Sequence, residues 1–134
     1  MKTIFKSRSR GVAAAVGLSL IAGLACAQTP VANPNDEVNE HFAIASKLFG
    51  KDQVQLHAFQ DGADGSRHKV YNFDCSEQTY NEVFDDDFEP EAFPIEAQTS
   101  SMQAFQPFDR ISQVAPLAAH ACKQHGVPLV GMEW

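Results

Sequence analysis

The sequence predicts an α+β fold: a small antiparallel sheet with a packed C-terminal helix, an N-terminal helix and one disulfide. Three observations lead there. Residues 68–76, HKVYNFDCS, alternate so that Tyr71, Phe73 and Cys75 share a face, the pattern of a half-buried strand. Two other stretches, near either end of the region expected to fold, repeat apolar residues at helical spacing. One of the three cysteines falls in a leader-like segment, which leaves Cys75 and Cys122 for the domain.

Residues 1–27 read as a secretion signal. Lys2, Lys6, Arg8 and Arg10 form a basic start, residues 12–24 an apolar run, and Ala25-Cys26-Ala27 a cleavage box before Gln28. The run falls short of the roughly 20 residues a membrane span requires. A rival reading makes Cys26 a lipid anchor. That pattern wants a leucine three places before the cysteine, where Gly23 stands, so export without a lipid is the favoured reading.

Cleavage after Ala27 leaves one small domain, near the size at which a crosslink helps stability. All 17 acidic residues lie beyond the leader, whereas four of the ten Lys and Arg residues lie inside it. The mature chain is therefore about four charges more negative than the −7 of the whole sequence. This disfavours nucleic acid and anionic membrane surfaces as partners and suits a protein partner, a basic one in particular.

The elements follow in order. Residues 28–35, QTPVANPN, read as a linker by their two prolines and lack of apolar period. Asn35 caps an expected helix over 36–49, with Val38, Phe42, Ala45, Leu48 and Phe49 as its stripe and Gly50 as its stop. Residues 53–59 form a strand through Val54, Leu56 and Phe59, and the 61–65 loop DGADG turns it into the 68–76 strand as a hairpin. A third strand is expected over 79–84 after a tight turn at Ser76-Glu77-Gln78. Residues 85–107 are rich in acid, proline and phenylalanine, with one short strand near 95–102. In the last helix, Val114, Leu117, Ala118, Ala121 and Cys122 fall on one face, Ser112 is the expected N-cap, and Gly126 ends the helix. The domain thus spans 36–126, and 127–134 is a C-terminal tail.

In an oxidising compartment Cys75 and Cys122 most simply form one disulfide. Asp74 and Glu77 flank Cys75 and would raise a thiol's pKa, which argues against a nucleophile, and no Cys or His lies close enough in sequence for a zinc set. The dense acidic run Asp85, Asp86, Asp87, Glu89 and Glu91 lacks the alternating spacing and glycine of a calcium loop, so it reads as a solvated loop. Phe84, Phe88 and Phe93 interleave with it. Aromatics rimmed by acids are the feature kept as a partner surface, with Asp85, Asp86, Asp87, Phe88, Glu89, Glu91 and Phe93 its candidate residues. His57 and His68 are placed to face each other across the hairpin, where a two-ligand or pH-sensitive site is conceivable but an ordinary surface pair is the expected outcome. His120 and His125 are five apart and do not share a helix face. No catalytic motif, phosphate loop or dinucleotide fingerprint occurs, so neither catalysis, a cofactor nor a metal is expected.

Asp74-Cys75 at the end of a strand, Tyr80 in the next, an acidic loop, then Phe108, Ile111, Pro116-Leu117 and Ala121-Cys122-Lys123 occur in an order that resembles the surface-adhesin protein E-like domain of bacterial envelope proteins. The resemblance runs from Val54 to Lys123. It implies a small antiparallel sheet with a packed C-terminal helix and a Cys75–Cys122 bond. It also implies a non-enzymatic exported binding module of the periplasm or cell surface, with a protein as ligand. Two other functions fit the composition: an acidic periplasmic inhibitor or immunity protein that neutralises a basic hydrolase, and an accessory subunit of an envelope assembly.

Overall fold

The computed structural model describes residues 28–96 and 104–131. The leader with Cys26, most of the strand expected near 95–102 and the final residue Trp134 lie outside the described residues. Ile95 and Glu96 belong to no strand.

Six strands form one antiparallel sheet in chain order: β1 Thr29–Val31, β2 Asn39–Phe49, β3 Gln53–Gly62, β4 Gly65–Asp74, β5 Thr79–Asp86 and β6 Gln106–Pro107. A single helix among the described residues, α1 Ala115–Gln124, packs on one face. The central hairpin forms as expected. β3 and β4 pair from Gln53 with Asp74 to Gly62 with Gly65, and Gly65 closes the turn at φ 108°, a conformation that costs a residue with a side chain more than glycine. At the other end of β4 the Asp74 Oδ1 accepts from the Ser76 and Glu77 N–H groups and the Ser76 hydroxyl, which builds the turn into β5.

The N-terminal helix expected over 36–49 does not form; residues 39–49 are strand β2, so the described residues form a β-meander with one helix. The reason lies in a bulge. The β2–β3 register shifts between Ala43 and Ala45, so that Phe42 faces Phe59 and Ala45 faces His57. A bulge inserts one residue into an alternating strand and leaves same-face residues three apart, the spacing of a helix. The outer members of the supposed stripe confirm this, since Val38 is 66% and Leu48 43% exposed. Asp36, the first residue of the expected helix, instead accepts from the Val38 and Asn39 N–H groups and launches the strand.

Both supposed termini also belong to the fold. Within the expected linker, β1 pairs with residues 41–43 of β2, while the Asn33 and Asn35 side chains donate to the Gln113, Arg110 and Ser112 carbonyls. In the expected tail, Leu129 is buried and the Val130 N–H reaches the Cys75 carbonyl.

The core lies between sheet and helix. Val54, Leu56 and Ala58 of β3, and Tyr71 and Phe73 of β4, meet Ala115, Leu117, Ala118, Ala121 and Cys122 of α1. The alanines let the helix lie close to the sheet, and Leu117 supplies its largest apolar burial, about 1.5–3 kcal/mol. Ser112 is not the N-cap; Val114 holds that position without a side-chain bond, and Pro116 stiffens the first turn. Gly126 at φ 71° follows the last turn, and the Val127 N–H returns to the Cys122 carbonyl. Cys75 and Cys122 are bonded, with Cα atoms 6.2 Å apart, and tie the residue that follows β4 to the last turn of α1.

Candidate functional site

The expected acidic loop divides between two structures. Asp85 and Asp86 are the last residues of β5, which runs two residues further than the alternation indicated. Asp85 is not a freely solvated acid: Arg67 Nε on β4 donates to it at 2.8 Å and Lys69 Nζ lies at 3.9 Å. Asp87, Phe88, Glu89 and Glu91 continue as an exposed segment, with Phe88 56% exposed. The Phe84 and Phe88 rings meet edge to face with centroids 5.9 Å apart, so Phe88 is braced from the strand while its outer surface stays open. Phe93 does not join this surface. It turns inward over His57, with ring centroids 6.0 Å apart.

The 87–96 segment crosses the sheet face opposite the helix, and Gln55 fixes its far end. The buried Gln55 amide donates to the Ile95 carbonyl at 2.9 Å, and its Oε1 accepts from the Ile95 N–H. The same amide donates to Asn72 Oδ1 at 2.8 Å, and Asn72 Nδ2 donates to Asn81 Oδ1 at 3.0 Å, a polar ladder across three strands. Each of these side chains is about 1% exposed, so their mutual bonds remove a desolvation cost an apolar face would never incur.

Beside the ladder the two hairpin histidines meet: His57 Nε2 lies 2.9 Å from His68 Nδ1. His57 is buried, and burial, then the neighbouring His68, push its pKa down while Glu89 partly offsets them. A neutral pair satisfies this contact with one shared N–H; a doubly protonated pair places two donors against each other.

On the helix side the sheet leaves a cleft of about 470 Å³ beyond the N-terminus of α1, lined by Lys69, Tyr71, Tyr80, Glu82, Gln113 and Leu117 among others. Lys69 Nζ and Glu82 Oε2 stand 3.6 Å apart there. Burial raises the Glu82 carboxyl above its ordinary value, more than Lys69 lowers it. His41 of β2, paired with Val31 of β1, also borders the cleft, and its Nε2 bonds Asp36 Oδ2 at 2.7 Å with both side chains buried. Burial would raise the Asp36 carboxyl. Its bonds from His41, Val38 and Asn39 outweigh that and hold it well below the usual range. No group of three His, Cys, Asp or Glu side chains gathers as a metal set among the described residues.

Sequence reasoning missed Lys69 and Glu82, although a signal was present. Lys69 alternates in phase with Tyr71, Phe73 and Cys75, and Glu82 in phase with Tyr80, which puts two charges on the buried side of the sheet. No family model matches the chain, and no curated protein or solved structure matches it significantly. No helix among the described residues is long and apolar enough to cross a membrane.

Proposed function

We propose that the chain is a non-enzymatic exported binding module of the cell envelope, of the surface-adhesin E-like kind, and that it engages a protein partner through residues 87–91. The observation that carries the reading is Phe88: a large aromatic ring, 56% exposed, braced from below by Phe84 and rimmed by the exposed carboxylates of Asp87, Glu89 and Glu91. An aromatic anchor held in place loses little freedom on docking, and a charged rim steers a partner of opposite sign. The disulfide fits export, since such bonds persist in oxidising compartments. The acidic balance of the chain points to a partner with a basic surface.

The test is capture from an envelope extract with immobilised mature protein, Phe88→Ala, and an Asp87→Asn, Glu89→Gln, Glu91→Gln variant. Phe88→Ala is expected to weaken capture of the same identified partner by at least about tenfold through faster dissociation, a loss of about 1.4 kcal/mol. The neutralised variant slows association and loses its salt dependence. Equal capture by all three proteins refutes the surface. A captured hydrolase that is inactive in the complex makes the module an inhibitor.

A further inference from the structure

The helix-side cleft lies on the other face of the sheet from Phe88 and is lined by the charged side chains of Lys69 and Glu82, with the Arg67–Asp85 pair beside them. Arg67 and Lys69 from β4 meet Glu82 and Asp85 from β5, so the quartet is electrically balanced. Its pairs are unequal. Arg67 and Asp85 touch at 2.8 Å, the length of a charge-assisted hydrogen bond, and are close to half exposed. Lys69 stands 3.6 Å from Glu82 and 3.9 Å from Asp85, beyond that length from either, with its side chain only 23% exposed and that of Glu82 30%. Lys69 and Glu82 thus form one long, partly desolvated ion pair facing the cavity, whose attraction offsets less of its desolvation than a short pair would. Around them, Gln60, Gln106, Gln113 and Ser112 supply hydrogen-bonding groups, and Tyr71, Tyr80, Val114 and Leu117 supply wall.

A balanced quartet gives no net attraction to an anion or a cation. It suits a ligand that carries both charges close together on a neutral body. We propose that this cleft binds a free α-amino acid with a neutral hydrogen-bonding side chain, its carboxylate on Lys69 and its ammonium on Glu82. One loose ion pair is exchanged for two short ones, and the amide and hydroxyl groups of the lining receive the side chain. The burial that raises the Glu82 carboxyl is relieved once a ligand cation sits against it. This site is independent of the Phe88 surface.

Amide chemical shifts of the intact mature protein, followed during titration with L-glutamine, L-asparagine and L-serine, test the proposal. At least one is expected to move the Gln60, Tyr80, Glu82 and Gln113 amides at millimolar concentration. The N-acetyl and the carboxamide derivatives of that amino acid, each stripped of one charge, should bind at least about tenfold more weakly to the wild type. Glu82→Gln should abolish the difference between the amino acid and its N-acetyl form, and Lys69→Met the difference from its carboxamide. Absence of shifts with all three amino acids, shifts confined to the opposite face, or equal binding of charged and capped forms overturns the proposal. The wild-type comparison of capped and uncapped ligands does not depend on either variant's folding.

Discussion

Replacing both cysteines, Cys75→Ala with Cys122→Ala, removes the crosslink without leaving a reactive thiol. The bond closes a loop with a sequence separation of 47. In the chain-entropy account a loop of that length restrains the unfolded ensemble by about 4 kcal/mol at 25 °C. Loss of two sulfur atoms from a site with no exposure adds to that, since both cysteines are fully buried against Phe73, Ala118 and their neighbours. A small domain has about 5–15 kcal/mol in all, so the variant keeps only a fraction of its stability. Urea unfolding followed by far-ultraviolet circular dichroism measures the change. The midpoint should fall and the denaturant slope rise, because the uncrosslinked unfolded chain exposes more surface. The ten-residue α1 is shorter than a helix that holds itself in water, so its amides should lose exchange protection before those of β3 and β4. A stability loss below about 1 kcal/mol, or strands that open before the helix, refutes the view that this bond holds the helix on the sheet.

Two further outcomes are expected. Burial lowers the pKa of both His57 and His120 from 6.5, so the unfolded chain binds protons that the folded one refuses: stability should fall as pH drops below about 6.5, by at most ~1.4 kcal/mol per pH unit per group, and recover above it. Urea midpoints between pH 7.5 and 5 read the slope, which His57→Asn should reduce; an unchanged slope in that variant removes His57 as its source. Gln55→Ala strips the Ile95 backbone and Asn72 of their partner and should cost about 2–3 kcal/mol while making residues 87–96 the first site of proteolysis, whereas unchanged cleavage kinetics would show that this contact does not hold the segment down.

The legible parts of the chain were those governed by short-range pattern. Tyr71, Phe73 and Cys75 alternate without interruption, and β4 follows them; Val114 to Cys122 repeat at helical spacing, and α1 carries that face into the core. The His57–His68 contact was readable because a hairpin with a two-residue turn sets its own register. β2 was misread because one bulge residue mimics a helical stride, and the only correction is pairing with β3, a contact no local window contains. The partner-surface candidates separated for a similar reason: Asp85 and Asp86 remain in register with Lys69 and His68, while Phe93 is drawn inward over His57.

By itself the sequence determined which residues can crosslink, where the central hairpin turns and which face of the last helix is apolar, because each rests on covalent chemistry or on a period a few residues long. Only the tertiary structure decided that the first segment is a strand, that the Asn33 and Asn35 side chains and Leu129 belong to the fold, and that Lys69 and Glu82 share a cleft. Those outcomes depend on hydrogen bonds and charges brought together across strands far apart in the chain. Desolvation and pairing energies exist there only once the sheet has closed.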